Sequence, residues 1–119
     1  MKVSSINPVL IATDIEKEKA GFEAEGFTQR HHLDEGNGIE IYVMETENGS
    51  RIDLVVLPGA KPGSVGIRMN VDNLEEAIAA HKAIGFVGGD KIFETKSNKI
   101  TEMTRENTDV YFILVEHKK

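Results

Sequence analysis

The first half of this chain is echoed in its second half at an offset of 59 residues, the separation of Ile6 from Val65. Residues 6–16 and 65–75 each read as a strand that ends at an Asp or Asn suited to begin a helix. Each predicted helix ends at a glycine followed by a phenylalanine, Gly26-Phe27 and Gly85-Phe86. A duplicated unit predicts a pseudo-twofold architecture, and ligand sites tend to lie where such halves meet.

Hydrophobic alternation and turn residues predict the remaining elements. In the first half, strands are expected after the helix at 27–34, 39–45 and 51–57. The second half is expected to repeat this order, with a turn at Asn107-Thr108 between its last two strands. Its elements are predicted as a strand at 64–71, a helix with the apolar face Leu74, Ala77, Ile78, His81 and Ile84, and strands at 92–96, 100–105 and 110–116. The sequence therefore predicts an α+β fold of two tandem βαβββ modules.

Length and composition favour one domain. The chain has 119 residues, 39% of them hydrophobic and 29% charged, which is ordinary for a globular protein. The modules are predicted at about 1–57 and 64–119, joined by the proline- and glycine-containing linker 58–63. Each module is too small to bury its own sheet, so we expect the two to form a single domain at 1–119.

Charge and residue usage exclude several classes of function. The formal net charge is −6 and no dense run of Lys or Arg occurs, so we expect no nucleic acid and no membrane as partners. The chain contains no cysteine, which excludes disulfides, thiolate nucleophiles and cysteine-ligated metal centres. Without a signal peptide or a long apolar stretch, the sequence indicates a cytoplasmic protein.

Two strand–helix–three-strand modules joined by a short linker resemble the vicinal-oxygen-chelate superfamily. That group includes glyoxalase, bleomycin-resistance proteins, extradiol dioxygenases and methylmalonyl-CoA epimerase. The resemblance rests on residues 7–27 with 51–57, and on 66–86 with 110–116. It implies a cupped mixed sheet with helices on its convex face and a ligand cavity on its concave face.

Strand alternation assigns side chains to the two faces of the sheet. On the third strand of the first module, Ile39, Ile41 and Val43 are predicted to face the helix. The residues predicted to face the cavity, and so to form the candidate ligand site, are Asn7, Glu40, Tyr42, Asp53, Arg68 and Tyr111, with Met44 beside them.

The resemblance also implies where a metal would bind. Metal-dependent members place ligands at four inward positions, which correspond here to Asn7, Asp53, Gly66 and Ile113. Asp53 is a good ligand, Asn7 is a weak one, and glycine and isoleucine side chains cannot coordinate a metal. The sequence therefore predicts no metal site and no cofactor.

Arg68 is the residue with the strongest functional signal. It lies in the middle of an otherwise apolar strand, and an arginine inside a cavity stays charged and requires an anion. That anion is either a ligand carboxylate, phosphate or enolate, or an internal carboxylate of Asp53 or Glu40. The two interpretations are equally weighted.

The four histidines carry weaker signals. His81 lies on the apolar stripe of the second helix, where a hydrogen-bonded core residue is expected. His31 and His32 are adjacent on one strand and so point to opposite faces, with His32 expected toward the cavity. His117 lies in the terminal tail and is expected to be solvated.

These observations favour a metal-independent small-molecule-binding protein that holds a compact anionic or aromatic ligand. The alternative is a glyoxalase-like lyase or isomerase with a non-standard metal site that uses Asp53, His32 and Glu40; no catalytic residue is assigned. A third interpretation is a regulatory module whose cavity has closed. A homodimer is expected in either of the first two cases, since short two-module members of the superfamily pair.

Overall fold

A computed structural model describes residues 2–106 and 110–119 of the chain. The turn predicted at Asn107-Thr108 lies outside the described residues. The chain divides into two compact units. The N-terminal unit is Asn7–Val65, and the C-terminal unit consists of the described residues of Met1–Ile6 and Gly66–Lys119.

The N-terminal unit is a four-stranded mixed sheet with one helix. Strands β3 and β4 pair antiparallel, as do β2 and β3, while β1 and β4 run parallel, which gives the strand order β2-β3-β4-β1. Parallel pairing requires a crossover, and helix α1 lies in it. The elements are β1 (Val3–Ile11, of which residues 7–11 belong here), α1 (Ile15–Ala24), β2 (Thr28–Gly36), β3 (Ile39–Glu45) and β4 (Arg51–Val56).

The C-terminal unit repeats this plan. Strands β5 and β9 pair in parallel, and β9, β8 and β6 follow in antiparallel order, with β7 also paired to β8. The elements are β5 (Val65–Val71), α2 (Leu74–Ala83), β6 (Val87–Gly88), β7 (Phe93–Glu94), β8 (Asn98–Thr104) and β9 (Tyr111–His117). The α+β class and the two strand–helix–strand modules predicted from the sequence are confirmed.

The internal repeat is explained by equivalent helix ends. Asp14 accepts the backbone N–H of Lys17 at the start of α1, and Asn73 accepts that of Glu76 at the start of α2. Gly26 and Gly85 follow the two helices with φ angles of 100° and 96°, a left-handed conformation that favours glycine. In each half, the repeat therefore contains the residue that begins the helix and the glycine that ends it.

Each unit buries its helix against one face of its sheet, which we call the helix face. In the N-terminal unit, Ile15 and Phe22 of α1 pack with Tyr42, Met44 and Leu54. In the C-terminal unit, the cluster consists of Val71, Leu74, Ala77, Ile78, Phe86, Met103 and Leu114, with Met69 and Phe112 packed against it. We call the opposite face of each sheet the helix-free face.

Two details differ from the sequence-based expectations. Ile84 was expected in the apolar face of α2, but the helix ends at Ala83 and the Ile84 side chain is exposed. No strand was predicted between this helix and residue 92, yet Val87 and Gly88 form the short strand β6 against Met103 and Thr104. Both differences lie at the end of a helix, where periodicity carries little information.

We predict that Leu114→Ala lowers the free energy of unfolding by about 3 kcal/mol, because it opens a cavity at a fully buried position. Leu33→Ala, at a side chain that is 40% exposed, is the matched control and should cost less than about 1 kcal/mol. Chemical denaturation followed by circular dichroism measures both. Equal losses in the two variants would contradict this assignment of the core.

Candidate functional site

The helix-free face of the C-terminal unit holds the predicted residues Arg68 and Tyr111. The register places Gly66 opposite Tyr111, and Arg68 opposite Ile113, on neighbouring strands. Directly opposed residues in neighbouring strands share a face. Since Met69 and Phe112 pack against the helix cluster, the alternate residues lie on the other side. This face carries Gly66, Arg68 and Asn70 on β5, Tyr111, Ile113 and Val115 on β9, and Ile100, Glu102 and Thr104 on β8.

Arg68 is buried, with 9% of its surface exposed, and its orientation is fixed by a neighbour. Its Nε–H donates to Oδ1 of Asn70 at 3.2 Å, and Nδ2 of Asn70 donates to Oγ of Ser5 at 2.6 Å. In the N-terminal unit, the repeat positions equivalent to Arg68 and Asn70 are Val9 and Ile11, both 1% exposed. A hydrogen-bonded polar pair therefore stands where the other half has two core side chains.

The ring of Tyr111 lies directly over Gly66. A Cβ atom added to Gly66 would be 2.8 Å from Cε2, 3.0 Å from Cζ and 3.1 Å from Cδ2 of the tyrosine ring, closer than van der Waals contact. Any other residue at this position would require the ring to move. Glycine at 66 is therefore explained by the close approach of an aromatic ring, since its φ angle is not in the left-handed region.

The phenol of Tyr111 stays protonated well into the alkaline range. Burial raises its pKa above the ordinary value of 10.0, and the charge of Glu102 raises it further. Glu102 is exposed and lies on the same face, where it opposes Ile113, two residues along β9 from Tyr111. Tyr111 is thus a hydrogen-bond donor at neutral pH, beside a buried cation on the same sheet face.

The helix-free face of the N-terminal unit holds Asn7 and Asp53. Nδ2 of Asn7 lies 3.4 Å from each carboxylate oxygen of Asp53, which is 1% exposed. Asp53 is opposite Val9 on β1 and opposite Val43 on β3, so its side chain points away from α1. The sequence correctly assigned both residues to this face.

Glu40 and Tyr42 lie on the helix face, so their predicted position in the cavity is wrong. Tyr42 packs with Phe22 of α1, and Nζ of Lys19, also on α1, lies 4.5 Å from the centre of its ring. Oε1 of Glu40 accepts the hydroxyl of Tyr42 at 3.2 Å. Met44 lies in the same cluster, and Ile39, Ile41 and Val43 therefore occupy the helix-free face instead of the helix face.

His32 completes this group on the helix face, contrary to its predicted orientation. Its Nε2 is 2.9 Å from Oε1 of Glu40, and its ring stacks on that of Tyr42 with centroids 4.2 Å apart. Burial is the largest cause that raises the pKa of Tyr42, followed by its hydrogen bond to Glu40 and the charges of Glu40 and Glu16. His32 and Glu40 are thus separated by the sheet from Asp53.

The other histidines have the roles expected of them or lie at the surface. His81 is buried between Phe86 and Phe112, and its Nδ1–H donates to the carbonyl oxygen of Ala77 at 2.8 Å. That confirms the core role predicted from its position in the helix. His31 and His117 are exposed.

The donors at the four positions implied by the resemblance do not fit a catalytic metal. Register confirms the equivalence of these positions, because Val9 pairs with Asp53 while its repeat counterpart Arg68 pairs with Ile113. The set offers one carboxylate, and the Tyr111 ring takes the space that a ligand side chain at Gly66 would need. Among the described residues, no group of three His, Asp or Glu side chains could hold a metal ion.

Three residues of these faces were not among the predicted site residues. Strand alternation does place Asn70 on the inward face with Arg68, and the same alternation could have found Glu102, a polar residue two positions from Thr104 on the same face. Ser5 could not, because its contact with Asn70 joins residues 65 apart in the chain. Long-range pairing of this kind leaves no local sequence pattern.

The fold agrees with that of several solved structures. A glyoxalase/bleomycin resistance protein/dioxygenase superfamily member from Vibrio splendidus aligns with 98% of this chain and 100% of its own, at 15% identity and a TM-score of 0.57. Methylmalonyl-CoA epimerase from Mycobacterium tuberculosis aligns with 98% of this chain and 88% of its own, at 14% identity and a TM-score of 0.60. The chain has the vicinal-oxygen-chelate fold.

A third structure of this fold contains a ligand. Methylmalonyl-CoA epimerase from Streptomyces coelicolor, solved as a variant in complex with 2-nitronate-propionyl-CoA, aligns with 99% of this chain and 100% of its own, at 17% identity and a TM-score of 0.64. No family model and no curated protein matches the chain by sequence. Among the described residues, no helix is both long and apolar enough to cross a membrane. At these identities the likeness establishes the vicinal-oxygen-chelate fold alone. A function must therefore be argued from the side chains of this chain.

We predict that Gly66→Ala destabilises the protein by about 1–2 kcal/mol, because the new methyl group collides with the Tyr111 ring. The cost should largely disappear in a Tyr111→Ala background, which a double-mutant cycle measures. Gly21→Ala is the matched control, since nothing lies within 4 Å of its added Cβ. An unchanged cost in the Tyr111→Ala background would show that the ring is not the cause.

We predict that both tyrosines ionise above pH 10 and that a different carboxylate adds to the effect of burial on the pKa of each. Glu102→Gln should lower the pKa of Tyr111 and leave that of Tyr42 unchanged, while Glu40→Gln should do the reverse. Ultraviolet titration of Tyr42→Phe and Tyr111→Phe backgrounds isolates each phenol, since the chain has two tyrosines and no tryptophan.

The raised pKa values of Tyr42 and Tyr111 also determine how the stability of the protein depends on pH. A phenol whose pKa is raised by folding contributes stability that is complete below its unfolded pKa and is lost as the pH rises through its folded pKa. The free energy of unfolding should therefore fall above about pH 10. A free energy of unfolding that stays constant or rises between about pH 10 and about pH 12 would contradict the raised values.

Proposed function

We propose that this chain is a metal-independent small-molecule-binding protein of the glyoxalase/bleomycin-resistance type, which holds a compact anionic or aromatic ligand. The observation that supports it is the buried, oriented Arg68 on a helix-free sheet face. The planar fork of a guanidinium matches a carboxylate or phosphate, so Arg68 has the chemistry to hold an anionic ligand. The equivalent position in the other half is a core valine, so the fold itself does not require a cation there.

Tyr111 gives the proposed ligand its second contact. The phenol is on the same face as Arg68, and its ring lies close against Gly66. A phenol O–H donates to an anionic oxygen, while the ring offers a surface to an apolar or aromatic body. The Streptomyces protein with this fold was solved with a nitronate, which is an oxyanion, and this supports an anionic ligand here.

Asn7 and Asp53 are a second proposed set of ligand contacts, in the N-terminal unit. Their mutual contact shows that a buried carboxylate and an amide face the same side of the sheet. The second candidate, a lyase or isomerase with a non-standard metal site, needs Asp53 to act with His32 and Glu40. Those two residues lie on the opposite face of the same sheet, which favours ligand binding.

We also propose that the protein acts as a homodimer in the cytoplasm.

We predict that the protein binds small carboxylates more tightly than their neutral amides, and that Arg68 is responsible. Calorimetric titration with benzoate, phenyl phosphate and benzamide is the first comparison. Arg68→Gln should weaken binding of the anions by about 10–100-fold, equivalent to about 1.4–2.8 kcal/mol, with little change for benzamide. Arg68→Lys keeps the charge without the fork and should recover part of the loss.

Arg51→Gln is the matched control, because Arg51 is an exposed arginine paired with Glu45 on the neighbouring strand. Circular dichroism of each variant shows whether it remains folded. Equal anion affinity in the native protein and in folded Arg68→Gln would overturn the proposal. Titration with zinc, nickel and manganese tests the alternative, since one tight site would favour metal chemistry over metal-independent binding.

A further inference from the structure

Strand β2 is the outer strand of the N-terminal unit. It pairs with β3 on one side, and in the described part of the chain no strand pairs with its other side. Eight of its nine residues are exposed. A strand edge of this kind presents backbone N–H and C=O groups that can pair with another strand.

The charges along this strand are ordered. Arg30 and His31 lie in its first half, and Asp34 and Glu35 lie in its second half, with His32 and Leu33 between them. The side chain of Arg30 is 61% exposed and that of Leu33 is 40% exposed. The ladder with β3 is interrupted near both ends, between Gln29 and His31 and between Asp34 and Gly36, and is regular in between.

A twofold axis perpendicular to the sheet would pair two copies of β2 in antiparallel order. The axis keeps each face on the same side in both copies, so opposed residues must share a face. Leu33 faces the same side as Ile41, while His32 and Asp34 face the side of Tyr42 and Glu40. An axis through Leu33 meets this condition, because Leu33 then opposes itself and His32 opposes Asp34.

We infer that two copies of this chain associate through β2, antiparallel about Leu33, so that the basic end of each strand meets the acidic end of the other. This inference rests on the proposed homodimer and names its interface. In this register His31 of one copy opposes Glu35 of the second, Arg30 lies next to that pair, and the two Leu33 side chains meet at the axis. Antiparallel pairing of opposite charges is favourable, whereas like charges opposite each other are destabilising.

The order of the charges distinguishes this edge from a protected one. Edges that avoid self-association carry charges that repel or obstruct a second copy, often lysines, and bulges that twist the strand away. Here the charge order is self-complementary under the twofold axis, and the interruptions leave His31–Asp34 as a regular segment. Because so short a segment buries little surface area between the two copies, we expect a weak dimer with a Kd on the order of 100 μM.

Sedimentation of the full chain over a range of concentrations, combined with charge-swap variants, tests the interface. The variant Arg30→Glu/His31→Glu makes both ends acidic, and Asp34→Lys/Glu35→Lys makes both ends basic. Each alone should raise the dimer Kd by about tenfold or more, and an equimolar mixture should restore dimers because every contact is again between opposite charges. Lys96→Glu/Lys99→Glu, at exposed residues outside β2, is the control and should leave the Kd unchanged.

The outcomes separate this inference from the proposals on which it depends. A native protein that stays monomeric at millimolar concentration would overturn both the homodimer and the interface. A native dimer that neither variant weakens, with both variants folded by circular dichroism, would overturn the β2 interface and leave the homodimer. Loss of dimers in both variants and their recovery in the mixture would support the antiparallel pairing, and anion binding at Arg68 is measured separately.

Discussion

The parallel pairing of the first and last strands in each half is the constraint on which the rest of the structure depends. Val9 opposes Asp53 in one half, and Arg68 opposes Ile113 in the other. Parallel neighbours require a crossover, so the helix must cover one face of the sheet and leave the other face free for polar side chains. The register then decides which residues lie on that free face. Asn7 and Asp53 are placed there in one half, and Arg68 and Tyr111 in the other.

The two halves share this strand arrangement and differ in the side chains that the strands carry. The first half fills its opening strand with Val9 and Ile11, which are core residues, and the second half places Arg68 and Asn70 at the same positions. The Tyr111 ring covers Gly66, where the resemblance implies a metal ligand. A duplicated fold can thus keep equivalent backbone contacts in its two halves while the second half carries a cation and a phenol on its helix-free face. Those two side chains underlie the proposed anion binding.

Several features were predictable because they depend on local chemistry. Asp14 and Asn73 predicted the helix starts, since a side-chain oxygen there accepts a backbone N–H of the first turn. The face of Asp53 on β4 was predicted correctly because hydrophobic and polar residues alternate around it. Strand β3 was misassigned because it is buried on both faces, with Ile41, Tyr42, Val43 and Met44 all in the core. Alternation carries no information about orientation when both sets of side chains are apolar.

The sequence by itself determined the duplicated α+β plan, the residues that begin the two helices and the core role of His81, because each follows from residue type and local spacing. The tertiary structure alone decided that Tyr42, Glu40 and His32 gather on the helix face, since Phe22 and Lys19 of α1 select that side of β3. It also decided that Ser5 holds Asn70, which in turn holds Arg68. Contacts between residues far apart in the chain depend on strand register, which no short stretch of sequence specifies.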